Sequence, residues 1–331
     1  MDQQPPTPSD VLAARHRLAG HVVRTPATAY PALDDVAHAA GAHDTRLVVK
    51  HENLQRTGSF KARGALNLLL HQGAPPAGIV GYSTGNHAQA LAHAARQVGA
   101  PCTIVMPQAP NPVKERAVRA LGADVVLHGA DLTTAAAHAA HLAAARDARL
   151  VSAADEPDLV AGVATATLEL LEDTGHLDVL VVPVGGGSGA AAACLVTSAF
   201  APHVDVVGVQ ATGAPAAHDS WRTGHLVTRP IRTRAEGLAT GRGFALTQGL
   251  MRTGLADFLL VDDDAISRAQ HAYLTAARTV AEGAGAAALA AVLTHPDRFA
   301  GRRVGVVCSG GNASPDELLR ALTSTGTAVP A

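Results

Sequence analysis

Charge is scarce in this 331-residue chain and nearly balanced. Only 16% of residues are Asp, Glu, Lys or Arg, against about a quarter in ordinary globular chains, and 26 basic against 28 acidic side chains leave a formal −2. That balance gives no electrostatic case for nucleic acid or an anionic membrane as the main partner, so a small-molecule role rises by default. Cysteine is scarce too: Cys102, Cys194 and Cys308 lie far apart without C-x-x-C spacing. Neither a zinc knuckle nor a disulfide framework is signalled, and a reducing, cytoplasmic setting fits. The opening MDQQPPTPSD lacks a basic region followed by an apolar core, and reads as a frayed polar tail rather than a signal peptide. No linker rich in Gly, Ser or charge divides the chain, and no fixed-period repeat runs through it.

Hydrophobic residues are plentiful, at 47%. Val179 to Val204 carries no Asp, Glu, Lys or Arg, long enough for a membrane span, but Pro183 and the run Gly185, Gly186, Gly187, Ser188, Gly189 argue for a strand, a loop and a helix. Strand-like runs alternate with helical ones, as in GIVGYS then NHAQALAHAARQVGA, PCTIVMP then NPVKERAVRALGA, and DVVLHG then DLTTAAAHAAHLAAARD. The alternation continues through ARLVSA, DVLVVPV, VDVVGVQA and RVGVVCS, with a last helix opening at Ser314, Pro315 in its first position and Glu317 completing a capping box. An α/β fold follows, with mostly parallel sheet and helices on both faces. The least regular segment, Gly213 to Thr253, reads by length as a surface excursion rather than a loop over a site.

Three polar loops follow strand-like runs: Ser83–His87 (STGNH), Gly185–Gly189 (GGGSG) and Ser309–Asn312 (SGGN). Ligands of open α/β sheets bind at such strand ends. Consecutive glycines before a helix let backbone N–H groups approach a phosphate, although the same loop also reads as a tight turn for packing. Gly185, Gly187 and Ala190 match a dinucleotide fingerprint, but the next strand ends in Gln210, Ala211 and Thr212, without the acid that holds a ribose. The first loop reads equally as an Asn N-cap with local hydroxyls. In RTGSFKARGA, Ser59 reads as an N-cap and Lys61 falls in the first helical turn, beside Arg56 and Arg63, where the helix dipole disfavours a cation. His138 and His141 have i, i+3 spacing but no nearby acid or cysteine, and read as a solvated face.

Taken together, KHENLQRTGSFKARGA, STGNHAQALA, VPVGGGSGAA, AEGLAT, EGAGAAALAA and VVCSGGN resemble, in order and spacing, the fold-type II pyridoxal-phosphate enzymes, within them the threonine/serine dehydratases (ammonia-lyases) and serine racemases. The resemblance implies two domains of open, twisted, mostly parallel sheet, tryptophan synthase beta-like: a large cofactor domain from 1–75 and 154–331, and a small mobile domain from 76–153. It implies Lys61 as the Schiff-base lysine and Phe60 beside the cofactor ring. Gly185, Gly186, Gly187, Ser188 and Gly189 would hold the phosphate, Asn86 the ring hydroxyl oxygen and Ser309 the pyridine nitrogen. Ser83, Thr84, Gly85, Asn86 and His87 would surround the substrate carboxylate. The implied reaction converts L-threonine, L-serine or a related β-hydroxy amino acid to a 2-oxo acid and ammonia, in a homodimer.

Departures qualify the resemblance. Racemases of the group carry a serine hydroxyl where this chain has Thr84, so dehydration is expected to dominate. Cation-dependent relatives use two acids where Gln210 and Ala216 stand, so no metal is expected. Glu236 stands where many relatives have aspartate. The chain ends soon after CSGGNASPDELLRAL, which leaves no room for a C-terminal regulatory domain. A racemase or β-replacement enzyme on the same scaffold is the nearest alternative; a nicotinamide oxidoreductase and a non-catalytic ligand sensor stand further off.

Overall fold

The computed structural model describes residues 4–324. Ten strands are present among them: β1 (Ala27–Ala29), β2 (Arg46–His51), β3 (Ile79–Tyr82), β4 (Cys102–Met106), β5 (Asp124–Leu127), β6 (Arg149–Val151), β7 (Val179–Pro183), β8 (Asp205–Ala211), β9 (Leu255–Val261) and β10 (Arg303–Cys308). The chain divides into two compact units, Met1–Val23 with Lys61–Thr165, and Arg24–Phe60 with Ala166–Ala331.

The first unit is built on a four-stranded parallel sheet in the order β5-β4-β3-β6. The chain runs outward from β3 through β4 to β5, then returns to place β6 on the other side of β3. The order therefore reverses between β3 and β6, and their carboxyl ends carry Ser83–His87 and the loop from Ser152 to Glu156. The helix Lys61–Gln72 packs on the helix Asn86–Val98, which places Lys61 with this unit. The unit is thus wider than the 76–153 expected from sequence. Asn67 and His71 tie that helix to the start of the helix Pro157–Thr174: Asn67 Nδ2 donates to the Asp158 carbonyl at 2.6 Å, and His71 Nδ1 lies 2.9 Å from the Asp158 carboxylate. Gly162 sets how near the two helices come, since a Cβ there would sit 2.5 Å from the Arg63 carbonyl oxygen.

The second unit holds a six-stranded sheet, β1-β2-β10-β7-β8-β9, in which only β1 is antiparallel. Parallel strands covered on both faces read as unbroken apolar runs, and β7 (VLVVP) is buried at every position. The helix Gly283–Thr294 supplies a wall of buried alanines to the core that includes Val181, Val207 and Val306. Here the chain runs outward from β7 through β8 to β9 before β10 inserts between β2 and β7. The reversal lies between β10 and β7, whose carboxyl ends lead to the SGGN and GGGSG loops. No helix among the described residues is long and apolar enough to cross a membrane; the uncharged stretch is β7, a loop and the helix Ser188–Phe200.

Two expectations change. The first three residues of the expected polar tail lie outside the described residues, but the tail does not persist to Asp10. The helix Pro8–Leu18 begins within it, under a capping box in which Thr7 accepts from the Asp10 N–H and the Asp10 carboxylate accepts from Thr7. The irregular segment after Gly213 is a surface excursion only in part: most of residues 222–234 is exposed, but its two ends are not. It contains the helices Ala216–Thr223 and Ala245–Gly254, and its turn at Glu236–Leu238 lies against the glycine loop.

Substituting Gly162→Ala should destabilise the protein by about 1–3 kcal/mol through overpacking of the Lys61 helix. Thermal unfolding checks this; an unchanged midpoint would mean that the Arg63 backbone yields freely.

Candidate active site

Lys61 is the first residue of its helix, at the positive end of the dipole. Burial pushes its amine down to about 8, and Nζ donates to the Ala153 carbonyl oxygen at 3.1 Å. His87 in the same unit is 3% exposed, both its ring nitrogens are buried without a hydrogen-bond partner, and it is pushed down to about 3, by burial first and the Lys61 charge second. Its imidazole is therefore neutral at any ordinary pH. In Ser83–His87 the Gly85 N–H donates to Ser83 Oγ at 3.1 Å, and Gly85 occupies the N-cap position of the helix Asn86–Val98. Asn86 is thus the first helical residue rather than a cap. The helix cap makes no side-chain hydrogen bond, so first-turn N–H groups are directed to the strand end that carries Ser83, Thr84 and Gly85. Arg63, expected to crowd Lys61, is fully buried and donates to Thr165 Oγ1 and the Val23 carbonyl, each at 3.2 Å. It holds the fold.

In the second unit the chain brings Phe60, the glycine loop and Ser309 together. The Phe60 N–H donates to the Ser309 carbonyl at 3.2 Å, Ser59 bridges Gly310, and the Phe60 ring would lie 3.7 Å from a Cβ on Gly189. Ser59 is extended and its hydroxyl, expected to cap the lysine helix, is buried without a hydrogen-bond partner. Two of the glycines are required by space. A Cβ on Gly185 would meet the Gly237 carbonyl oxygen at 2.2 Å; Gly187 has φ +92° and would meet Thr247 Oγ1 at 2.9 Å. Thr247 Oγ1 also donates to the Gly186 carbonyl at 2.7 Å. The helix Ser188–Phe200 starts directly after the loop without a side-chain cap, so its positive end faces the loop. Ser309, 6% exposed, follows β10.

Gln210 ends β8, and its Oε1 accepts from the N–H groups of Ala217 at 3.1 Å and His218 at 3.0 Å, so a neutral amide caps the helix Ala216–Thr223. No carboxylate stands at Gln210 or Ala216. His138 stacks on His128, with ring centroids 3.9 Å apart, while His141 is 6.4 Å away. Face-to-face rings do not converge on one point, and among the described residues no group of three His, Cys, Asp or Glu side chains is arranged to hold a metal.

A lysine amine near neutrality and a glycine cup at a helix start are what an aldehyde-bearing phosphate requires, and the family of pyridoxal-phosphate dependent enzymes matches residues 18–310. The chain belongs to that family. It is 36% identical over 306 residues to an L-threo-3-hydroxyaspartate ammonia-lyase of Pseudomonas sp, covering 92% of this chain and 94% of that one. Among solved structures, a threonine deaminase of T.th. has a TM-score of 0.86 at 35% identity, covering 93% of this chain and 99% of that one. Serine racemase from Dictyostelium discoideum has a TM-score of 0.85 at 30% identity, covering 93% and 99%.

Pyridoxal phosphate is the cofactor of this family, and the residues present fit it. The glycine loop precedes the uncapped start of a helix, with Gly185 and Gly187 packed too closely for side chains, and the Lys61 amine is pushed toward neutrality. The groups that sequence reasoning missed are mostly backbone. The Ala153 and Gly237 carbonyls have no side-chain signature; Thr247 sits in a segment with no motif to mark it. For this family member, the amine fraction of Lys61 rises with pH through about 8, so uptake of pyridoxal phosphate by the cofactor-free protein should accelerate between about pH 7 and 9. Stopped-flow absorbance measures this, and a flat profile would contradict the lowered amine.

Proposed function

We propose that the protein is a pyridoxal-phosphate-dependent ammonia-lyase that dehydrates L-threonine, L-serine or a related β-hydroxy amino acid to a 2-oxo acid and ammonia. The observation that carries this reading is the buried Lys61 amine, held on the Ala153 carbonyl at a strand-end loop, in a chain that resembles named ammonia-lyases along nearly its whole length. Relatives named for L-threo-3-hydroxyaspartate and for L-threonine both support a substrate with a hydroxyl on Cβ.

In this reading Lys61 attaches the cofactor, with Phe60 beside the ring. Gly185, Gly186, Gly187, Ser188 and Gly189 take the phosphate on backbone N–H groups, Asn86 takes the ring hydroxyl oxygen and Ser309 the pyridine nitrogen. When bound, pyridoxal phosphate supplies a conjugated system that accepts the electron pair left when a Cα–H bond breaks. The proton goes to the Lys61 amine, which its lowered pKa suits to the work of a base. Ser83, Thr84, Gly85, Asn86 and His87 hold the substrate carboxylate by donating to it, and neutral His87 adds no second positive charge beside Lys61. The β-hydroxyl departs as water with the proton that Lys61 took from Cα, which leaves the amine neutral again, and the released enamine tautomerises and hydrolyses to the 2-oxo acid and ammonia. A hydroxyl at Ser309, unlike a carboxylate, does not stabilise a protonated pyridine nitrogen, which favours elimination over transamination. Thr84 keeps the hydroxyl of a second acid/base but adds a methyl that restricts its rotamer, which supports dehydration over racemisation.

The same reading takes the small unit as the part that closes over substrate, and the protein as a cytoplasmic homodimer. Its three cysteines are buried thiols, consistent with a reducing compartment. Exposed Leu54 and Val280, beside a cavity of about 480 Å³ that includes Tyr30 and Arg278, support a covered face in the second unit.

Oxo-acid release should be measured with L-threonine, L-serine, threo-3-hydroxyaspartate and their D-forms. Turnover of at least one L-form, lost to background in Lys61→Ala with the fold retained, is expected; turnover surviving the substitution would refute the reading. With L-serine, oxo acid should exceed D-serine by chiral chromatography, and Thr84→Ser should raise the D-serine share. EDTA should leave the rate unchanged, since Gln210 and Ala216 offer no charged cation ligand; inhibition reversed by Mg²⁺ would contradict that.

A further inference from the structure

Ala153 lies at the carboxyl end of β6, on the side of the small sheet's reversal opposite Ser83–His87. A loop of small residues has no packing reason to hold one carbonyl still, yet this loop is pinned at each end. Ser152 Oγ accepts from the N–H groups of Ala154 at 3.3 Å and Asp155 at 3.1 Å, closing a tight turn around Ala153. The Ser152 N–H donates to Glu156 Oε1 at 3.4 Å, and Glu156 Oε2 is paired with Arg149 Nη2 at 2.8 Å. Glu156 is 5% exposed. Arg149 reaches on to Gln72 Oε1, and Gln72 donates to the Asp158 carboxylate. Gln72 is the last residue of the helix that begins with Lys61. The lysine and its acceptor are therefore referenced to one frame: the helix carries the amine at its first turn, and its last residue joins the ion pair that anchors the loop.

Two opposed effects act on the amine. Burial favours the neutral form, whereas a carbonyl acceptor favours the ammonium. Where the carbonyl sits therefore decides how far burial prevails. The loop also offers a fixed resting place for the amine whenever it is not bonded to cofactor, so that the base returns to one position between proton transfers.

We propose that the Ala153 carbonyl is the docking acceptor for the unbonded Lys61 amine, and that Ser152 and Glu156 are positioning residues that hold it there. This rests on the assignment of Lys61 as the cofactor lysine. Loosening the loop removes a partner of the charged form only, so the amine should lose its proton at lower pH than in the parent.

The test uses the full-length chain stripped of cofactor, its fold checked against the loaded protein by circular dichroism. Brief acetylation across a pH series, with the Lys61 peptide quantified by mass spectrometry, gives the midpoint at which the free amine appears. Ser152→Ala should lower that midpoint by about half a pH unit or more, while Ser152→Thr, which keeps the hydroxyl, should leave it at the parental value. Glu156→Gln, which keeps the shape and removes the charge, should move it in the same direction. In the loaded enzyme the acidic limb of the kcat profile should shift the same way. Midpoints unmoved in both Ser152→Ala and Glu156→Gln would overturn the proposal; if Ser152→Ala fails to fold, Glu156→Gln decides alone. Borohydride reduction of the loaded parent separates the two readings. A cofactor not trapped on Lys61 refutes the function, whereas trapping with unmoved midpoints refutes only the role of the loop.

Discussion

A half-buried primary amine at the start of a helix, disfavoured as an ammonium, is the constraint to which the rest of the site answers. Lowering an ammonium from 10.5 to about 8 corresponds to roughly 3 kcal/mol of disfavoured charge. Packing must supply that: desolvation lowers Lys61, and desolvation with the Lys61 charge lowers His87 beside it. His87 yields, because imidazolium is the weaker competitor for a proton. The remaining ammonium is steadied by a backbone dipole, the Ala153 carbonyl, rather than by a full negative charge at that contact. A neutral acceptor can hold the amine without raising its pKa as far as a carboxylate would.

The sheets explain why these groups collect where they do. In each unit the strand order reverses once beside the loops that carry the chemistry, between β3 and β6 in one and between β10 and β7 in the other. Adjacent helices leave such a reversal on opposite faces of the sheet, opening a crevice at the carboxyl ends. Every candidate loop occupies one of those crevices: Ser83–His87 and Ser152–Glu156 in the first unit, GGGSG and SGGN in the second. β2 adds its own exit, through which the chain reaches Phe60 and then Lys61. Lys61 follows directly on Phe60, whose N–H is bonded to the Ser309 carbonyl after β10.

The alternation of strand and helix runs was legible because parallel strands read as short apolar stretches between helical ones; β4, β7 and β8 are buried almost throughout, while β5 and β6 at or near the sheet edge are only partly covered yet keep the Val and Leu pattern. So was the capping box at Ser314 and Glu317, which forms as its spacing implies. β2 and β9 were not legible from local pattern. β2 ends in Lys50 and His51, and a buried lysine reads as exposed until Glu169 is known to meet it at 2.8 Å. β9 contains Asp257, which is paired with Arg298 from a distant turn. Ser59 misleads for the complementary reason: a residue type suited to capping reads as a cap, whereas the helix starts at Lys61, which leaves Ser59 one residue before the cap position and in a bridge to Gly310. Arg63 shows the same limit, since its partners Thr165 and Val23 are far away in sequence. Side-chain chemistry that converges on one loop shows in a sequence. Backbone carbonyls and long-range partners do not.

The end of β8 shows how one neutral residue can alter the electrostatics of a strand end. The helix Ala216–Thr223 begins there with Pro215 at its cap, a residue that offers no side-chain acceptor. Left alone, its first N–H groups would present partial positive charge to a buried region. Gln210 meets two of them with one amide oxygen, and Gln248 Nε2 donates to the Ala217 carbonyl at 2.9 Å from the other side. A carboxylate at Gln210 could accept the same two bonds, but it would bring a full charge to a position with 0% exposure. Burying that charge requires a counter-charge, supplied by an arginine, a lysine or a cation. With an amide the requirement disappears. The strand end is held by neutral hydrogen bonds, with no counter-charge required at Gln210.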